Sequence, residues 1–192
     1  MGKTPALMLS RIAGATERDR VLIAARWGGG NGMEQPADKV AALIDAAAAL
    51  EGTSSPYALI GGVAVGIHSG APRATLDTDI AVPSTMERGT IVSAMVRAGF
   101  RLVGDFEHSL NFRHSSGEPV QLAIDPSFDP MIERAETLQV ETHVIRIVRK
   151  DDLIEMKRRA AADPKRRRSK ALRDQADVEL LLGDVPDPDE GW

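Results

Sequence analysis

Cysteine is absent from this chain of 192 residues, which excludes a disulfide framework, a thiol nucleophile and a thiolate metal centre. Histidine is sparse: His68, His108, His114 and His143 show no H-x-x-x-H or comparable spacing, so a zinc centre is not expected. Aromatics are scarce too, with one Tyr, two Trp and four Phe, and leave few platforms on which splayed bases could stack. No apolar run approaches the roughly 20 residues that span a bilayer, and the N-terminus lacks the charge, apolar block and cleavage site of a secretion signal. A soluble, cytoplasmic protein without a membrane partner is the expectation. The formal charge of -4 and a pI near 5.6 exclude a surface that is basic throughout, so any contact with nucleic acid must be local.

Along the chain, Leu7 to Ala13 and Arg20 to Trp27 read as short helices, before Gly28-Gly29-Gly30-Asn31-Gly32 breaks regular structure. Residues 1–35 are thus an N-terminal arm whose packing the sequence leaves open. Pro36, followed by apolar Val40, Ala41, Leu43, Ile44, Ala47 and Leu50, predicts an amphipathic helix ended by Gly52. Tyr57 to Ile60 reads as a buried strand and Gly62 to Ser69 as a helix. After a polar loop from Gly70 to Thr78 comes a strand over Asp79 to Val82. Ser84, with Glu87 three positions on, predicts a capping box for a helix through Ala98, stopped by Gly99.

A meander follows, with strands over Arg101 to Asp105, Ser109 to His114 and Val120 to Asp125. Asp129 to Glu136 reads as helical, Val144 to Val148 as a strand, and Asp151 to Ala162 and Ser169 to Leu182 as a helical pair joined by a basic stretch. The division expected is an arm at 1–35, a core at 36–148, a C-terminal helical part at 149–183 completing a cleft, and an acidic, frayed tail at 184–192.

The chemistry concentrates between Tyr57 and Val82. Gly61 at a strand end and Gly62 opening a helix let a phosphate approach backbone N–H groups with no Cβ in the way, and the helix dipole favours an anion there. Asp77 and Asp79, at i and i+2 on an extended segment, face the same way and suit divalent metal, Mg²⁺ or Mn²⁺. Asp125, at the end of a strand where Gln121, Ala123 and Asp125 share a face, is the candidate third ligand. Arg73, in the loop before the acids, is placed to neutralise phosphate. Singly, each has an ordinary reading: a tight turn, a solvated loop edge, a surface arginine. The order of all of them along one short stretch is what is specific.

Gly61-Gly62-Val63-Ala64, His68-Ser69-Gly70, Arg73-Ala74-Thr75 and Asp77-Thr78-Asp79-Ile80 resemble the G-G-x-A, H-x-G, R-x-T and D-x-D-I pattern of nucleotidyltransferases of the DNA polymerase beta superfamily, in particular the AbiEii-type group, which includes toxins of toxin-antitoxin systems. Asp152-Leu153-Ile154 with Lys157, and Arg173-Asp174 with Asp177, are similar to that group's later D-L-I-x-x-K and K/R-D-x-x-D segments. The resemblance covers roughly residues 57 to 182. It implies an α+β fold, a nucleotidyltransferase-like mixed sheet flanked by helices with a C-terminal helical pair. It further implies an NTP substrate, catalytic and metal-binding Asp77 and Asp79, and Lys157 on the phosphates. Asp174 or Asp177 would orient Lys157 or shape the acceptor side. One departure stands out: Val120-Gln121-Leu122 carries an amide where many relatives have the third acid, which leaves either Asp125 to act or a weak or degenerate enzyme.

For the acceptor, Lys165, Arg166, Arg167 and Arg168 offer a patch for an RNA such as tRNA, and a solvated loop is the plain alternative. Three functions therefore compete: an enzyme modifying RNA or protein, as the toxin of a pair with an antitoxin partner; a small-molecule, antibiotic-type nucleotidyltransferase; and a non-catalytic nucleotide-binding module.

Overall fold

The computed structural model describes residues 4–27 and 37–185. The Gly28 to Gly32 breaker, Pro36 and the prolines of the tail lie outside them. Fifteen elements follow in order: α1 (Pro5–Trp27), α2 (Lys39–Glu51), β1 (Ala58–Ile60), α3 (Gly61–Ser69), β2 (Thr78–Val82), α4 (Arg88–Arg97), β3 (Phe100–Phe106), β4 (Ser109–His114), β5 (Pro119–Ile124), a 3₁₀ turn (Pro126–Phe128), α5 (Asp129–Glu133), β6 (Glu136–Val140), β7 (His143–Ile147), α6 (Lys150–Ala162) and α7 (Arg168–Leu182). The expected mixed sheet with a C-terminal helical pair is what the chain forms.

Seven strands make one sheet in the order β3-β4-β5-β2-β1-β7-β6. β2 runs antiparallel to β1 and parallel to β5, and β1 runs parallel to β7. β4 and β5 alternate buried and partly exposed residues: Leu110, Phe112, Val120 and Leu122 are buried, whereas Asn111, Gln121 and Ala123 are not fully covered. On the buried face, α2 and α4 pack against the sheet, with His114 bonded to Asp45 of α2 at 3.0 Å and Arg88 of α4 to Asp105 of β3. The other face is bordered at its β1 and β2 end by α3, α6 and α7, and among the described residues no helix packs over it at β5, β4 and β3.

Several boundaries differ from the sequence reading for identifiable reasons. Leu7 to Ala13 and Arg20 to Trp27 belong to one helix, α1, because nothing between them forbids helical backbone, and Met8, Leu9 and Ile12 bury one side of it against the body. The N-cap of α2 is Asp38, whose carboxylate accepts from the Ala41 N–H at 2.9 Å. Ser84 caps nothing: its N–H and hydroxyl are bound by Asp129 at 2.8 and 2.6 Å, and α4 starts later, with Glu87 as the cap, accepting from the Gly89 and Thr90 N–H groups. The helix expected over Asp129 to Glu136 stops at Glu133, and Glu136 opens β6, an edge strand.

Candidate active site

Strand β1 delivers the chain directly into α3 through Gly61, whose φ of +69° lies in the left-handed region that glycine enters without strain. The pairing of Ile60 with Asp79 sets this bend beside the start of β2. Asp79 fills the space above Gly61, so that an added Cβ would fall on its carboxylate. Arg73 and Thr75 do the same at Gly62. The glycine bend, the arginine and the second aspartate predicted from sequence are thus one cluster.

Asp77, just before β2, is its near neighbour. Burial first, and the Asp77 charge second, push the Asp79 carboxyl from 3.8 up to about 7, against the pull of Lys157, Lys39 and Arg73. A buried carboxylate beside a second acid is a group that a divalent cation would relieve. Gln121 stands directly across from Asp79 on the parallel neighbour β5. Two carboxylates and a side-chain carbonyl are hard oxygen donors of the kind Mg²⁺ or Mn²⁺ takes, with water and phosphate oxygens completing the shell.

Asp125 is not among them. β2 and β5 run side by side in register from Thr78 and Val120 to Val82 and Ile124, so Asp125 lies past the far end of β2, four positions and about 13 Å along the strand from Gln121. There it caps the 3₁₀ turn, accepting from the Ser127 N–H at 2.8 Å; the Ser127 side chain first, and this N–H second, hold its pKa below the usual value, and it sits 3.7 Å from His108. Sharing a face with Gln121 does not bring it to the same place. Among the described residues no group of three or more His, Asp or Glu is gathered for a metal.

The helical pair closes the cluster from above with five alternating charges. Lys157 of α6 is buried, its Nζ 2.9 Å from Asp174 and 2.8 Å from Asp177 of α7, one helical turn apart. Asp177 also holds Arg73 at 2.5 Å, and Asp174 holds Arg166 at 2.5 Å. Arg73 therefore ties α7 to the glycine bend, and both aspartates, not one, fix Lys157. Lys165, Arg167 and Arg168 project from the turn between the helices into solvent. His68 is spoken for by the Val148 carbonyl at 2.7 Å.

Beneath the acids lies a support that the sequence does not announce. Glu118, at the start of the β5 hairpin arm, is buried and ion-paired with buried Lys39 of α2; Arg20 of α1 reaches it at 3.1 Å and the Thr78 hydroxyl at 3.3 Å. Lys39 also donates to the Asp77 carbonyl at 3.4 Å, and Arg20 to the Leu76 carbonyl at 3.1 Å. The Thr16 hydroxyl accepts from the Thr75 N–H at 3.2 Å. Nothing in the local pattern marks these residues, because partners such as Lys39 and Glu118 are 79 positions apart.

With this geometry the solved structures can be compared. An antigenic nucleotidyltransferase-like protein from Paracoccidioides brasiliensis matches over 80% of this chain and 80% of its own, at 20% identity and a TM-score of 0.55. The fold is nucleotidyltransferase-like. ANT(2")-Ia, solved in complex with adenylyl-2"-tobramycin, matches 76% of the chain and 90% of its own at 16% identity and a TM-score of 0.55. JHP933 from Helicobacter pylori matches 79% and 66% at 18% identity and a TM-score of 0.50. No family model matches the chain, and no curated protein matches it either. Among the described residues no helix is long and apolar enough to cross a membrane.

Proposed function

We infer that the protein is a metal-dependent nucleotidyltransferase that moves a nucleoside monophosphate from an NTP to an acceptor hydroxyl. The observation that carries this is the meeting of Asp77 and Asp79 with the Gly61-Gly62 bend under Arg73 and Lys157. Gly61 and Gly62 receive the triphosphate on the N–H groups that open α3, where the helix dipole adds to the attraction. Arg73 and Lys157 neutralise it, and Asp174 and Asp177 keep Lys157 aimed while leaving it one N–H for a phosphate oxygen. Asp77 and Asp79, with the Gln121 carbonyl across the strands, would hold Mg²⁺ or Mn²⁺, which when bound supplies charge neutralisation and lowers the pKa of the attacking hydroxyl.

The acceptor oxygen forms a bond to the α-phosphorus, the bond from that phosphorus to the bridging oxygen breaks, pyrophosphate leaves, and the hydroxyl proton passes to water. Catalysis in this scheme is positioning and electrostatics, and Asp125 has no part in it.

The motif order supports an AbiEii-type assignment, with RNA such as tRNA, or a protein, as acceptor, Lys165 to Arg168 as the RNA contact, and an antitoxin as partner. Similarity of fold to ANT(2")-Ia supports a second reading, an antibiotic-type enzyme acting on a small hydroxyl compound. Gln121 at the position facing Asp79 supports a third, a degenerate nucleotide-binding module. Incubation with each labelled NTP, Mg²⁺ and total RNA, comparing the natural protein with Asp79→Ala, tests the first: label entering RNA only with Asp79 intact is the expected result, and no label in any acceptor would leave the module.

A further inference from the structure

The open face of the sheet continues from the aspartates in straight rows. One row runs from Asp79 through Gln121 and Asn111 to Gly104. The next runs from Pro119, one position before the Val120 that pairs with Thr78, through Arg113 to Arg101. At a strand spacing near 4.8 Å, Arg113 on β4 and Arg101 on β3 lie two and three strands from β2, about 10 and about 14 Å across the sheet. Both are exposed.

Like charges placed directly opposite on neighbouring strands repel, and among the described residues no acid pairs with either arginine. Arg113 donates to the Gly117 carbonyl at 2.8 Å, which holds its guanidinium over the hairpin end, and Arg101 has no hydrogen-bond or ion-pair partner among the described residues. Between the arginines and the aspartates the surface is neutral, and there the Asn111 Oδ1 is buried with no hydrogen-bond partner among the described residues. A cation pair with no anion among the described residues and the aspartate cluster thus share one face of the sheet, with neutral Asn111 and Gln121 between them.

We propose that Arg101 and Arg113 bind phosphates of the acceptor, which is an RNA strand lying across β3, β4 and β5 with its terminal hydroxyl at Asp77 and Asp79. Each guanidinium forks onto phosphate oxygens. A polycationic amino sugar would meet two uncompensated positive charges on the same path. The assignment rests on the transferase reading and narrows its acceptor.

The test binds a 5′-labelled short single-stranded RNA to the full chain without NTP or metal, between about 50 and 200 mM salt. In the R101Q/R113Q double variant the dissociation constant should rise about tenfold or more, and the salt slope should shrink by about 1.4, some 0.7 per lost phosphate contact. Thermal stability should hold or rise as the repulsion is removed, which separates a binding defect from a folding one. Unchanged RNA affinity and slope in that variant, or affinity lost only in R167Q/R168Q, would overturn the proposal, as would transfer to an amino sugar at equal rates in both proteins. Label transfer is scored separately: arginine-dependent RNA binding without any transfer sinks the enzymatic reading and leaves an RNA-binding face, whereas transfer to RNA that ignores both arginines sinks only this site.

Discussion

The Asp79 carboxylate occupies the volume that a side chain on Gly61 would need. A loop glycine and a strand aspartate thereby specify each other. Gly61→Ala should cost about 1–2 kcal/mol for a left-handed non-glycine residue alone, and should also push Asp79 off its position. Thermal unfolding and nucleotide transfer measured together should show a modest loss of stability and a much larger loss of activity; an active Gly61→Ala protein would break the link between bend and acid.

Asp79→Asn should separate function from stability. In the natural apo protein the folded state holds the Asp79 proton up to about pH 7, whereas the unfolded chain releases it near the ordinary carboxylate value of about 4. As pH rises through that window the unfolded state is favoured, so natural stability falls relative to the variant, and above the window the gap is constant. Without metal, the variant should melt higher at neutral pH by about 2–4 °C for each kcal/mol of burial and repulsion cost removed, and the two should converge toward about pH 4. Transfer activity should vanish. A variant that melts lower than the natural protein at neutral pH contradicts a cost of ionising Asp79 in its buried place beside Asp77.

Gln121→Glu places a third carboxylate across from Asp79. Tighter Mn²⁺ binding by calorimetry and a faster transfer rate are the expected outcome. By contrast, Asp125→Ala should lose the 3₁₀ turn cap, about 0.5–2 kcal/mol, with transfer unchanged. If Asp125→Ala abolishes transfer while Gln121→Glu does nothing, the ligand assignment is reversed.

Glu118→Ala leaves Lys39 charged and buried without its partner, and a cost of about 3–5 kcal/mol is expected in urea unfolding. Replacing both by Lys39→Met and Glu118→Leu should recover most of it, because two apolar side chains need no compensation. Equal losses in the single and double variants would show that the pair is not the source.

The sequence displays what is local. Gly61-Gly62, Arg73, Asp77 and Asp79 lie within one loop and two strand ends, so their spacing already states that they meet. Asp125 was misleading because strand periodicity reports which face a residue occupies and says nothing of register with the next strand; only the pairing of Asp79 with Gln121 supplies that. β6 went unread because it is an edge strand whose first four residues are not buried, so burial leaves no alternation to detect. Ser84 satisfied the spacing of a capping box, yet Asp129, 45 residues on, claims it. Lys39 and Glu118 were invisible for the same reason: a buried ion pair is a property of tertiary contact.

Thr16 and Arg20 give the first helix a reach well beyond its own neighbourhood, since their bonds end on the backbone of Thr75 and Leu76, immediately ahead of the acids. The loop therefore does not own its shape. Prising α1 from the body, by trimming or by a competing protein, would slacken the anchorage of both carboxylates without touching either of them, so the chain carries a handle on its chemistry some 60 residues upstream in sequence, on the scale of the 59 positions between Thr16 and Thr75.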